Sequence, residues 1–481
     1  MSPRAVSGVF TSRVFTKGGA PGASATPRAG GTAPPWLLML LSCGAQFLVV
    51  LDATIVSVAL PPVATALGFT TSSVGWVVNA YTLAFAGFLL LGGRLADLVG
   101  TRTVFLTGLG VFTAASLWCG LATAPWHLVT ARAVQGLGGA LLMPTTLTIV
   151  HLAYAEPAQR ARALGLWSMV GAVGAAAGTV FGGLLTDSFG WRWVFLVKVP
   201  IGVVVLAVAW RALAPRPRTD APREPLDLLG ASLVTCGLAA LVYGVVAFGE
   251  PAGTARAVAF SAAAVVLLAL FVVRQHRWAR SPLMPLRIFG HRAVSAANAV
   301  MFCLGVGYLA SPVVLSLYLQ HVLDYSPSRA GLGFLPTALA VMVGAQVTGW
   351  MTTHWGTRRT ASLGLCLVTA GFLLLVRLGP DTAFWPTIVV PLLLVGLGAG
   401  VAFTPITVAA TSSAPPALTG LASGLLNTTR QVSTALGIAV LTAVANALGG
   451  ANGYGVAFLI AGLLAALATA GAATLLPKGR G

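Results

Sequence analysis

Asp52 sits inside the apolar stretch LDATIVSVALP, residues 51–61, and is the only one of the ten acidic residues set deep within such a run. A carboxylate in hydrocarbon is costly to keep ionised, so it requires either a cationic partner or a proton. That is the chemistry of a proton carrier; the plainer alternative is a structural acid hydrogen-bonded to Thr54 or to a neighbouring helix. Three cations share the apolar stretches with it: Arg132, Lys198 and Arg430. A guanidinium keeps its proton, so Arg132 needs an acceptor, either Asp52 or helix carbonyls. Gln135 follows one helical turn later and extends the same polar face. Lys198 lies about 10 Å inside its helix and either snorkels outward or faces a central cavity. Thr54, Asn79, Tyr81, Gln135, Asn298 and Arg430 are the candidates to line that cavity.

The elements that hold these residues must be membrane helices. The chain is 57% hydrophobic and only 8% charged, against roughly a quarter charged residues in soluble proteins. Fourteen apolar runs of about 20 residues recur, the length that crosses a bilayer core as a helix. The fold expected is all-α and polytopic: a six-helix half over 36–213, a linker with two inserted helices over 214–292, and a second six-helix half over 293–476. Residues 1–35, rich in Ala, Gly, Ser, Thr and Pro, read as a disordered tail rather than a transit peptide, and 477–481 as a short tail. The net charge of +18 does not call for nucleic acid. Most Lys and Arg fall in alternate loops, which places both termini in the cytoplasm of a multi-pass cell-membrane protein. The five cysteines are scattered without a CxxC pair and the six histidines without ligand spacing, so no metal site is expected.

Two loops look like copies. Gly93 to Arg102 and Gly349 to Arg358 both read Gly-x6-Gly-Thr-Arg, with Asp97 of the first replaced by Thr353 in the second. A weaker echo links 135–139, QGLGG, with 395–399, VGLGA. The separations fit two parallel halves with two helices between them, the layout of a rocking transporter with a central site. Gly93, Gly100 and Arg102 with Asp97 make a tight turn between helices, where glycine permits close approach. Gly174, Gly178 and Gly182, spaced by four, line one helix face and let a neighbour's backbone come close.

The ordered set LDATIVSVALP, GGRLADLVGTR, RAVQGLGGA, the glycine ladder, GWRWVFLVKVP and SGLLNTTRQVSTALG resembles the fourteen-span drug:proton antiporters of the major facilitator superfamily over nearly the whole chain. The resemblance implies that Asp52 carries the coupled proton, that Arg132 takes part in coupling, and that Gly93, Asp97, Gly100 and Arg102 latch one half against the other. Three positions depart from the family pattern. Thr101 replaces a basic residue in the latch, Thr179 replaces a proline in the ladder, and Lys198 stands where Asn is usual.

ATP hydrolysis by a phosphate-cradling loop is excluded, because the three lysines follow Thr16, Val197 and Pro477 and no Gly-Lys exists. The expectation is therefore a monomeric, cofactor-free transporter that is not an enzyme. Its partners are protons, the bilayer and a small amphiphilic substrate (neutral, weakly anionic or monocationic), expelled as a drug or antibiotic-like metabolite. Proton-coupled import is the alternative, and a non-transporting sensor a remote one.

Overall fold

Proline and glycine punctuate the helices. The first, α1 (Pro35–Leu67), starts with proline in its first turn, where no backbone donor is lost. It stops at Gly68, whose φ of 76° closes the last turn. The computed structural model describes residues 33–70, 73–154, 156–213, 227–248, 253–279, 282–284, 286–412 and 419–477. Most of the expected tail at 1–35, residues 214–226 of the linker and 478–481 lie outside the described residues.

The described chain is helical throughout: α2 (Trp76–Val99), α3 (Thr101–Gly120), α4 (Pro125–Ala153), α5 (Pro157–Phe189), α6 (Trp193–Leu196) and α7 (Lys198–Ala212) follow α1. Next come α8 (Leu228–Phe248) and α9 (Thr254–Val273), then α10 (Arg292–Leu304), α11 (Ser311–His321), α12 (Pro327–Gly333), α13 (Leu335–Leu375), α14 (Val389–Ser412), α15 (Thr419–Leu448) and α16 (Gly450–Leu475). Among the described residues, twelve helical stretches are long and apolar enough to cross a membrane. One of them, Pro327–Leu375, is 49 residues long, and the shorter apolar stretch Trp76–Leu89 lies in α2.

The 49-residue stretch is not one rod. Gly344 and Gly364 would lie about 30 Å apart along a continuous helix. Yet each packs on the same part of α14, Gly344 on the Leu397 carbonyl and Gly364 on the Gly398 carbonyl. The chain doubles back at Gly356, where φ is 80° and ψ 162°. Gly100, its counterpart in the first copy of the loop, has φ 101° and ψ 139° between α2 and α3. Side chains strain at such angles, so both copies of Gly-x6-Gly-Thr-Arg end on a turn that glycine alone enters freely.

The second echo is also a packing device. In α4 a Cβ on Gly136 would lie 2.3 Å from the Tyr81 carbonyl of α2, and in α14 a Cβ on Gly396 would lie 2.4 Å from the Thr337 carbonyl of α13. Both helices use a bare backbone to seat themselves against their partner. The buried apolar core runs without interruption from α1, α3 and α4 through α10, α11, α13 and α14 to α16.

Candidate functional site

Three charged side chains from three helices meet in the interior. Asp52 of α1, Arg132 of α4 and Lys198 at the start of α7 are 0%, 0% and 1% exposed, so no water shell shields them. Nη1 of Arg132 donates to Oδ2 of Asp52 at 2.7 Å, and Nζ of Lys198 donates to Oδ1. Gln135 donates to the same Oδ1 at 3.0 Å and to Ser116 of α3 at 2.7 Å. Its own Oε1 accepts from Arg132 at 2.6 Å. The guanidinium is fixed further by Nε donating to the Val77 carbonyl of α2 at 2.8 Å. Aromatic faces enclose the cations: Arg132 lies 4.3 Å from the Tyr81 ring centre and Lys198 4.8 Å from that of Phe195.

Local sequence explains this convergence. Arg132 and Gln135 are three apart on α4 and so present to one side. Val197 keeps helical angles (φ −57°, ψ −28°), so α6 runs on into α7, and Lys198 falls on the side of that path that meets Asp52. Of the two positions open to Lys198 from sequence, the structure gives the inward one. Ser116 had no sequence signal beyond being one small polar residue in an apolar helix.

The other candidates are spread out. Thr54 returns its hydroxyl to the Val50 and Leu51 carbonyls at 3.2 Å on the face that meets Gly178, two residues from Asp52 but outside its bonded set. Asn79 is fully buried with neither side-chain polar atom bonded, and the Tyr81 hydroxyl also lacks a partner. Asn298 of α10 accepts from Thr429 of α15 at 2.7 Å. Arg430 is half-buried beside that pair. Thr428 and Thr429, with Gly87, Leu238, Phe271 and Phe302, help to line an apolar cavity of about 190 Å³ between α2, α8, α9, α10 and α15. The ladder packs α5 on α1: a Cβ on Gly174, Gly178 or Gly182 would lie 3.3, 2.9 or 2.6 Å from a carbonyl of α1.

In the loop expected to act as a latch, Gly93 approaches Pro144 of α4. Arg102 donates to the Trp210 carbonyl of α7 at 3.0 Å. Asp97 lies in the last turn of α2, with its side chain outside the described residues. The reach across to 214–292 comes instead from Arg94, whose Nη2 donates to the Pro282 carbonyl at 2.9 Å. Nearby, Asp227 caps α8 through the Gly230 amide at 2.9 Å and accepts from Arg274 and Gln275, each at 2.6 Å. Burial opposes ionisation of Asp227, but the Arg274 hydrogen bond, the Gly230 amide and Gln275 outweigh it and hold the carboxyl below its ordinary range. Gln275 in turn accepts from the Met284 amide at 3.0 Å. This foot beneath α8 and α9 is legible in hindsight as an acid three residues before a glycine at a helix start.

At the opposite ends of these helices α11 and α12 touch α1 and α5 directly. Gln320 of α11 donates to the Val58 carbonyl of α1 at 2.9 Å, and the Ser328 amide of α12 to Asp187 of α5 at 2.8 Å. Gly331 of α12 lies against the Thr179 carbonyl of α5.

A family pattern described as the Major Facilitator Superfamily matches residues 42–438. The chain belongs to the major facilitator superfamily. That is a family of transporters, not of enzymes. The cephamycin export protein CmcT of Amycolatopsis lactamdurans is 45% identical, with 87% of each chain covered. The puromycin resistance protein pur8 of Streptomyces alboniger is 38% identical over 84% of this chain and 81% of its own. The tetracenomycin C resistance and export protein of Streptomyces glaucescens is 33% identical over 87% and 78%. Among solved structures, one from work on substrate recognition in proton dependent oligopeptide transporters superposes with a TM-score of 0.65. It covers 92% of this chain and 99% of that one at 17% identity, a likeness of fold. This superfamily member is therefore a multi-pass membrane transporter related to antibiotic export and resistance proteins.

Proposed function

We propose that this transporter exports amphiphilic, antibiotic-like small molecules across a bacterial cell membrane in exchange for protons. The observation that carries the reading is the enclosed set around Asp52. One carboxylate holds cationic groups from α4 and α7 against α1. Placing a proton on it removes the charge that joins the three helices, so protonation and helix packing are linked. Arg132 is the coupling partner, and Gln135 and Ser116 keep the carboxylate oriented. The antibiotic export relatives support outward transport of a small amphiphile.

In this reading the backbone reversal at Gly356, with α2 counted as a span, brings the total to fourteen. They form two six-helix halves over 36–213 and 293–476 and a pair inserted within 214–292. Both termini face the cytoplasm and the protein works as a monomer. Contacts of Gln320 and Ser328 with α1 and α5 then close the outer side, so the conformation faces inward. Cargo enters between the halves near Thr54, Asn79, Tyr81, Asn298 and Arg430 while Asp52 gives its proton inward. The halves rock, with Gly93, Asp97, Gly100 and Arg102 acting as the latch, and Asp52 regains a proton from outside.

The test is cargo-induced proton movement in everted, preacidified vesicles, with cephamycin and puromycin as trial cargoes. Proton efflux on adding cargo indicates exchange, and co-uptake indicates the import direction. Asp52→Asn at normal expression should abolish the coupled movement. Coupling that survives the substitution rejects the role given to Asp52.

A further inference from the structure

We infer that the cargo carries one negative charge, and that Lys198 with Nη2 of Arg132 forms the subsite that receives it. This rests on the export reading above and narrows its substrate class. Arg132 and Lys198 are both ion-paired to one acid, Asp52, and all three side chains are shut away from solvent. Among the described residues the other ion pair joins Asp227 to Arg274, at the foot of α8. With Asp52 ionised, one positive charge has no counter-ion. An uncompensated buried charge is strongly unfavourable unless an ion or a proton shift relieves it.

Donor capacity is left over at the same place. Nε and Nη1 of Arg132 are engaged by Val77, Asp52 and Gln135, whereas Nη2 has no partner. The Lys198 ammonium has three N–H groups, and Asp52 is the acceptor that the structure gives it. A carboxylate or sulfonate uses both groups through charge-assisted hydrogen bonds. The Tyr81 and Phe195 rings wall the cations with apolar surface, which strengthens attraction to an anion. A monoanion brings the enclosed set to neutrality. A monocation adds a like charge, and a neutral cargo leaves the excess in place unless the Lys198 ammonium gives up a proton.

The test uses the full-length protein in discs of phosphatidylcholine at neutral pH, titrated with matched probes. Dansylglycine is compared with dansylglycinamide, and naphthoxyacetate with naphthoxyacetamide. In at least one pair the anion should bind at least about tenfold tighter than its amide. Lys198→Asn, folded by size exclusion, should erase that preference, and Lys198→Arg should restore it. Equal affinity within both pairs, binding of no probe, or a preference that survives Lys198→Asn overturns the inference. The readout is binding without a pH gradient, so such a failure leaves the proton-exchange reading standing. Repeating the titration with anionic phospholipid in the discs separates the two sources of an anion. Loss of probe binding there assigns the subsite to a lipid headgroup and overturns it as a cargo site.

Discussion

Replacing Asp52 with Asn keeps the side chain's size and removes the charge that two cations share. Breaking a buried ion pair by deleting one partner costs about 3–5 kcal/mol. Here the loss falls on two partners, because Nη1 of Arg132 and Nζ of Lys198 both donate to this carboxylate. Lys198→Met is the informative contrast. It leaves Asp52 with Arg132 and Gln135 and removes the unbalanced charge, so stability should be unchanged or higher. The double variant should then be more stable than Asp52→Asn alone, a non-additivity expected of groups in one network. Thermal unfolding followed by a thiol-reactive dye reads all three in a background with the exposed Cys236 and Cys366 and the half-buried Cys303 replaced by Ser, since the remaining Cys43 and Cys119 are buried and react only on opening. If Asp52→Asn unfolds at or above the temperature of Lys198→Met, the charged set does not hold these helices together and the argument fails.

Three further outcomes follow from the packing and the foot of the inserted helices. Gly178→Val should sharply reduce folded yield or transport, because even a Cβ there lies 2.9 Å from the Leu51 carbonyl; wild-type yield and flux would show that α5 is not seated so closely on α1. Asp227→Ala should lower the unfolding temperature by removing a helix cap, a loss of about 1 kcal/mol, read in the same dye assay. The depressed folded-state value of Asp227 means that its contribution is complete above the ordinary carboxylate value of 3.8. It fades as pH falls through the lower folded value. The difference between wild type and Asp227→Ala should therefore be constant near neutrality and shrink only in strong acid; a difference that vanished by pH 6 would contradict the Arg274 pairing.

Asp52, Arg132 and Gln135 were legible in the sequence because a charged or amide group in an apolar helix is expensive and needs a partner. The class of fold was legible for a related reason: so little polar surface requires lipid, and apolar runs of about 20 residues cross it as helices. Repeated Gly-x6-Gly-Thr-Arg foretold two equivalent reversals, since a positive φ selects glycine wherever the chain turns that way. Sequence alone left Lys198 undecided. Its direction depends on Asp52, 146 positions away, being within reach. Arg94, Asp227 and Ser116 were missed because each is an ordinary residue type whose partner lies on another helix. Local pattern determined which residues had to be buried and where the chain had to turn. Only the tertiary packing decided which buried charges met, because that depends on distances between helices that no spacing along one helix contains.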